Sequence, residues 1–336
     1  MQKACFLSVV VPMYNEEEVI EVTYRRLKTV LDKLGETYEI VFVNDGSRDR
    51  TADIVRGFCS ADHTVKLIDF SRNFGHQIAV TAGMDHSRGR TVVLIDADLQ
   101  DPPELIADMV AKWREGYDVV YGKRIERKGE SWFKKMTAAM FYRLLRSMTS
   151  VNIPVDTGDF RLMDRKVCDA LTSMRERSRF IRGMVSWAGF KQTSVDYVRD
   201  ERFAGETKYP LRKMIRLSLD AMTSFSTKPL KIASVLGFFL SAVGFIYLFF
   251  VLYQRLFTDT TTQGWTSMIA ISLLFHGITL LLLGVLGEYI GRTYEEAKGR
   301  PLYLVADAIN FSEETDNTRE RNAAEHKIGV GSGSGN

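Results

Sequence analysis

Residues Arg90–Glu104 read RTVVLIDADLQDPPE. The apolar run from Val92 to Ile95 drives straight into Asp96, Asp98 and Gln100 and is closed by Pro102 and Pro103. A short β-branched run that ends abruptly in carboxylates and prolines has the pattern of a buried parallel strand whose C-terminal end opens into a polar crevice. Open α/β sheets bind their ligands at such ends. Two carboxylates separated by a single residue, with an amide oxygen two positions further on, form a hard donor set able to share a divalent cation with phosphate oxygens. Asp96, Asp98 and Gln100 are therefore candidate ligands for Mg²⁺ or Mn²⁺ holding a nucleotide diphosphate. The competing reading is that Asp96 and Asp98 only cap the helix beginning near Pro102.

Upstream, the same pattern recurs. Phe6 to Val11 reads as a strand, followed by PMYNEEE and a helix to about Gly35; Tyr38 to Val43 is a second strand ending in Asn44, Asp45 and Gly46. A helix over Ala52 to Ala61 follows, then a third strand from Val65 to Phe70 ending in SRNFGH and a helix from His76 to Ser87. Beyond the organising strand come a helix from Leu105 to Glu115 and a fifth strand from Asp118 to Tyr121. Strands alternating with helices of this length imply an α/β, Rossmann-like, mostly parallel sheet covered on both faces. Four polar clusters falling at strand C-terminal ends mark one edge of that sheet as the site.

Past Lys123 the character changes. Gly129 to Val151 interleaves Trp132, Phe133, Met136 and Phe141 with Lys134, Lys135, Arg143 and Arg146, the signature of a helix lying in a membrane interface. Packing as an ordinary core helix is the alternative. Asp156 to Arg165 reads as a turn and short strand, and Lys191 to Val198 as an outer strand. Thr207 to Ser218, with Lys208, Arg212, Lys213 and Arg216, is again amphipathic and basic. Ile232 to Tyr253 then carries no charged residue, and Trp265 to Gly287 has only His276 as an ionisable group. Each is long enough for a hydrocarbon core of about 30 Å. Lys228 and Lys231 precede the first span and Arg292, Lys298 and Arg300 follow the second, whereas the connector holds Arg255 alone, so both termini are expected on the cytosolic side.

The expected organisation is thus a cytosolic domain over 1–228 that includes interface helices near 129–151 and 207–226. Two transmembrane helices follow within 229–290, near 232–253 and 265–287, then a cytosolic segment over 291–311 and a disordered tail over 312–336. A balance of 45 basic against 42 acidic residues does not point to nucleic acid. Cys5, Cys59 and Cys168 are odd in number and widely spaced, which indicates neither a disulfide framework nor a zinc site. A nucleotide-metal crevice tethered to a bilayer, rimmed by basic segments, suits an anionic lipid head group and membrane lipids as partners. Two anions meeting there require cations; Arg124 and Lys208 are the first candidates, ahead of Arg127, Lys134, Lys135 and Arg202.

Taken together and in order, VVVPMYNEEE, FVNDGSRDRT, SRNFGHQIAV, IDADLQDPPE, GDFRLMDR and LGEYIGRTYEEAKGRPLYLV resemble the GT-A, family 2 inverting glycosyltransferases acting on polyprenyl phosphates, nearest the bacterial bactoprenol (undecaprenyl-phosphate) glucosyltransferases. The resemblance implies transfer of one hexose, most simply glucose, from a UDP-sugar to polyprenyl phosphate at the inner leaflet of the bacterial cytoplasmic membrane, by a homotetramer. The QxxRW string of processive family members is absent. Pro12, Tyr14 and Glu16 would hold base and ribose, and Asp45 the uracil. Asp96 would lie against the ribose or metal, with Asp98 and Gln100 on the cation and diphosphate. Asp159 matches the proposed catalytic base, with Asp156 nearby. A phosphomonoester with a second pKa near 6 needs little deprotonation, so Asp159 could instead orient a residue such as Arg161 or stabilise positive charge on the anomeric carbon. Another sugar nucleotide (a UDP-aminosugar or GDP-mannose), a non-catalytic partner of a lipid-sugar flippase and a membrane-tethered phosphotransferase remain alternatives.

Overall fold

The computed structural model describes residues 4–125, 157–198, 228–257 and 264–311. Asp156, Lys208, the other rim cations Arg127, Lys134, Lys135 and Arg202, both proposed interface helices and the polar tail lie outside those residues. Among the described residues, eight strands form one sheet in the order β7-β5-β6-β4-β1-β2-β3-β8. They are β1 (Leu7–Met13), β2 (Tyr38–Asn44), β3 (Val65–Phe70), β4 (Thr91–Leu94), β5 (Val119–Arg124), β6 (Thr157–Asp164), β7 (Gln192–Tyr197) and β8 (Val305–Ile309). The helices packed on it are α1 (Ile20–Leu34), α2 (Thr51–Ala61), α3 (His76–His86), α4 (Leu105–Arg114), α5 (Arg165–Ser173) and α6 (Ile181–Ala188).

The central strands β4, β1, β2 and β3 run parallel, as their apolar runs require. Every residue of β1 is buried, and the strand's period of two feeds both faces. Val9 and Val11 join Leu27, Leu31, Ile106 and Phe160 on one face. Val10 joins Val80, Met84, Val167 and Met184 on the other. Helix α3 crosses so close to β1 that a Cβ on Gly83 would stand 2.1 Å from Val10 Cγ1. Only glycine fits there.

Four elements differ from the sequence expectation. The stretch expected as a turn and short strand is an eight-residue strand in the middle of the sheet, antiparallel to both neighbours, β4 and β5. Two helices, α5 and α6, follow it. A further strand, β8, forms after the two long apolar helices and pairs antiparallel with the β3 edge, Leu67 opposite Ile309. The expected outer strand is present as β7, parallel to β5.

The hairpin consists of α7 (Lys228–Phe257) and α8 (Trp265–Ala297), both long and apolar enough to cross a membrane. Phe238, Phe245, Phe249, Leu280 and Leu281 are exposed, an apolar surface that hydrocarbon would cover. Helix α8 continues unbroken to Ala297, past the apolar stretch. His276 has Nδ1 2.7 Å from the carbonyl oxygen of Ser272 in its own helix.

Candidate active site

The strand ends converge as the polar clusters implied. After β4, the chain runs through Asp96 to Leu99, which adopts a left-handed φ of 57°. The amide of Gln100 donates to Asp98 Oδ1 at 3.2 Å, and Thr23 Oγ1 of α1 donates to the Ala97 carbonyl at 2.8 Å, pinning the acidic turn. Helix α4 begins without a side-chain cap, its N-cap being Glu104. The reading of Asp96 and Asp98 as mere caps is therefore overturned.

Between β1, β2 and β3, a crevice of about 520 Å³ is lined by Tyr14, Asn44, Gly46, Ser47, Arg56, Asp69 and the loop Phe70 to Asn73, among others. Its walls are held by exact local bonding. Asp45 takes the amides of Phe74 at 2.6 Å and Gly75 at 3.0 Å, tying the loop after β2 to the loop after β3. Gly46 has a φ of 67°, and a Cβ on it would stand 2.6 Å from the Arg72 carbonyl carbon. Glu16 lies where the loop enters α1, its amide held by Thr51 Oγ1 at 2.8 Å and its carbonyl accepting from Ile20. Pro12 is buried within β1, in register with Val43. A second cavity of similar volume, at the opposite end of the sheet, is lined by Phe6, Glu36, Arg90, Trp113 and Arg114. Arg114 already pairs with Glu36 there at 2.6 Å.

The centre of the site is a charge cluster that joins three of the quoted motifs to Arg182, which belongs to none of them. His76, at the N-terminus of α3, places Nε2 3.6 Å from Asp96 Oδ1 and 3.3 Å from Asp159 Oδ2. Asp159 also accepts from Arg182 Nε at 2.7 Å and from Gln77 Nε2 at 3.1 Å. Gln77 Oε1 in turn takes the amide of Ile181 at 2.8 Å, so Gln77 links α3 to the start of α6. Arg161, expected as a partner of Asp159, instead donates to the carbonyls of Gly158 and Asp159. The carboxylate faces Arg182.

These contacts divide the cluster electrostatically. Burial pushes the Asp96 carboxyl up to about 6; His76 pulls it down, and Asp159, Asp101 and Asp98 push it further up. Burial would also raise Asp159, but Arg182 and His76 outweigh it and hold that carboxyl well below the usual range. Burial disfavours the His76 imidazolium, yet Asp96 and then Asp159 bring its pKa to about 9. Arg124 sits at the end of β5 with its side chain 17% exposed, Nη2 3.6 Å from Asp101 and Nε donating to the Tyr197 hydroxyl at 3.1 Å. Tyr197 donates to buried Asp101. Arg124 is thus engaged at the base of the acidic loop.

The residues present fit a divalent cation. Asp96, Asp98 and Gln100 are hard oxygen donors, and the carboxylates crowded around Asp96 leave negative charge that a cation would offset. Among the described residues no group of three or more His, Cys, Asp or Glu is arranged to hold a metal ion by itself. A cation here would have to complete its coordination with phosphate oxygens of the ligand.

Comparison with known proteins matches residues 8–172 to "Glycosyl transferase family 2" and residues 228–293 to "GtrB C-terminal hairpin". The chain is 65% identical over 298 residues to the uncharacterized glycosyltransferase YkcC of Bacillus subtilis (strain 168), covering 89% of this chain and 92% of that one. It is 41% identical to the prophage bactoprenol glucosyl transferase homolog of Escherichia coli (strain K12), covering 89% and 98%. Among solved structures, glucosyl-3-phosphoglycerate synthase from Mycobacterium tuberculosis, in complex with Mn²⁺, UDP and phosphoglyceric acid, aligns with a TM-score of 0.46 at 19% identity, over 65% of this chain and 76% of that one. A mostly parallel sheet with its acidic strand ends gathered on one edge, and an apolar hairpin after it, go with these matches: the chain is a GT-A glycosyltransferase and belongs to glycosyl transferase family 2.

Proposed function

We propose that the protein transfers a single hexose, glucose first among them, from a UDP-sugar to polyprenyl phosphate at the cytosolic leaflet, with inversion at the anomeric carbon. The observation that carries this reading is the Asp159–Arg182–His76–Asp96 cluster, in a chain that also holds a nucleoside-sized crevice and an apolar hairpin. The likeness to bactoprenol glucosyl transferases over most of the chain supports the choice of acceptor.

In this reading Tyr14 and Glu16, with Pro12 shaping β1, hold base and ribose, and Asp45 keeps the wall of the crevice in place for the uracil. Asp96, Asp98 and Gln100 would hold Mg²⁺ or Mn²⁺, which when bound neutralises charge on the departing diphosphate. An acceptor phosphate oxygen attacks the anomeric carbon as the bond to the diphosphate breaks; UDP leaves with that electron pair. The acceptor is already largely dianionic at neutral pH, and a carboxylate held ionised by Arg182 has little affinity for a proton. Asp159 therefore acts through its charge, on the sugar's developing positive carbon and on the placing of Arg182 and His76. Those two cations, with Arg124 and Lys208, are assigned to the anions that must meet here, and Asp156 supports Asp159.

The test is incubation of the purified protein with Mn²⁺, radiolabelled UDP-glucose and polyprenyl phosphate. Label extracted into the organic phase is expected. UDP release without lipid label would identify a hydrolase, and neither product a binding module; both reject the proposal.

A further inference from the structure

The segment leaving the second membrane helix, GEYIGRTYEEAKGRPLYLV and on to Phe311, is the one sequence motif that the proposed reaction does not use. It meets the catalytic domain at two places, and each leads to a different half of the site.

The first contact is with the loop that precedes α6. Glu296 Oε1 accepts the amide of Arg177 at 2.7 Å, Arg292 Nη1 donates to Ser178 Oγ at 3.1 Å, and the Arg177 guanidinium donates to the Arg300 carbonyl. A few residues further on, the same chain delivers Ile181 to Gln77 and Arg182 to Asp159. The second contact is with β3. Tyr303 stacks on Phe70 with ring centroids 5.2 Å apart, and its hydroxyl donates to Asp85 Oδ2 at 2.8 Å, the oxygen that Arg175 also reaches. Phe70 packs edge-on against Phe74, whose amide is bound by Asp45, and both Phe70 and the following loop line the nucleotide crevice. On β8, Asp307 lies 3.7 Å from Arg56, another crevice residue.

We propose that Glu296 and Tyr303 are positioning residues for the transfer reaction: Glu296 acts through the 177–182 loop on the Arg182–Asp159 pair, and Tyr303 acts through Phe70 and Phe74 on the donor crevice. This rests on the reading of the site as a glycosyltransferase using a membrane-borne acceptor. The phosphate of such an acceptor is held at the depth the bilayer sets, so the reacting groups must be held at a matching height. Because α8 runs without a break from its apolar stretch to Ala297, it fixes that height for the groups clamped to its end. Misplacement by about an ångström can cost on the order of a hundredfold in rate.

The experiment uses full-length protein in vesicles containing polyprenyl phosphate, comparing wild type with Glu296→Ala, Glu296→Gln, Tyr303→Ala and Tyr303→Phe. Glu296 is solvent-exposed, so its truncation leaves the core intact. Glu296→Ala is expected to lower kcat about tenfold or more with the KM for UDP-sugar within about twofold, and to speed hydrogen exchange at the amides of 177–182. Glu296→Gln keeps an acceptor oxygen for the Arg177 amide and should restore both. Tyr303→Ala should weaken UDP binding, read by calorimetric titration, about fivefold or more, and Tyr303→Phe, which keeps the ring stack, by less. Wild-type kcat in Glu296→Ala, an unchanged exchange pattern at 177–182, or equal losses in Ala and Gln would overturn the first half. Unchanged UDP affinity in Tyr303→Ala would overturn the second. Should wild type make no lipid-linked sugar, the functional reading fails alone; exchange and UDP affinity need no turnover and still decide the positioning claim.

Discussion

Asp96 and Asp159 flank one imidazole, at 3.6 and 3.3 Å, yet their surroundings drive them in opposite directions. At the end of β4, half-buried Asp96 stands near three other carboxylates, and partial desolvation and their charge raise it to about 6. At the start of β6, Asp159 has Arg182, Gln77 and His76 around it and stays ionised far below that. The difference teaches that this edge of the sheet is two sites. One side gathers the carboxylates Asp96, Asp98 and Asp101 and suits a cation; the other sets Asp159 against Arg182 and His76 and suits an approaching anion.

The hardest blow to this comparison is to the carboxylate-rich side. Asp98→Asn is expected to cut transfer about a thousandfold, the scale on which removal of one electrostatic stabiliser of a transition state is felt, and to weaken Mn²⁺ binding in a direct titration. Near-wild-type metal affinity would show that the charge at β4 serves something else. On the matched side, Asp159→Asn is expected to lose rate by a similar or smaller factor, and by the same factor from pH 6 to 9. Asp159 is deprotonated throughout that range, so a loss that shrinks toward pH 9, where the acceptor is fully ionised, would restore the base role. Arg182→Ala should cost on the order of a hundredfold in kcat, with Arg182→Lys recovering only part, because an ammonium cannot reproduce the guanidinium fork that also reaches the Thr157 carbonyl. Wild-type activity in Arg182→Lys would make Arg182 a simple point charge.

The smallest effect takes the comparison away from the site. Asp62 pairs with Lys28 at 2.9 Å with its side chain 17% exposed. Burial raises its pKa, but bonds from Lys28 and Thr64 outweigh that and lower it to about 2. A depressed folded-state pKa contributes stability above the unfolded value of about 4, lost as pH falls through about 2. Asp62→Asn should therefore lower stability at pH 7 by about 2 kcal/mol and flatten the acid limb of the unfolding curve, with transfer activity unchanged.

Much of the fold was legible in the residues. The central strands, buried on both faces, had to be near-continuous apolar runs, and the polar clusters after them had nowhere to go but the sheet's C-terminal edge. What escaped had weaker local signals. Strand β6 carries Asp159 and Arg161 in its interior, which masked it as a turn. Strand β8 is solvent-facing and follows two membrane-length helices, so nothing nearby suggested a return to the sheet. Arg182 lies in RERSRFIR, a run of basic residues with no motif, and only its geometry distinguishes it from its neighbours. His76 stood in a cluster already noted at a strand end, but its partners are far away in sequence.

The linear sequence by itself determined the α/β class, the acidic edge and the apolar hairpin, because periodicity, strand-end composition and uncharged length are local properties of the chain. The pairing of charges was decided only by tertiary structure. Which arginine meets Asp159, which histidine meets Asp96 and where the post-hairpin segment docks all depend on residues brought within a few ångströms from positions tens to hundreds of residues apart, and charge interactions at that range are what set each group's protonation and role.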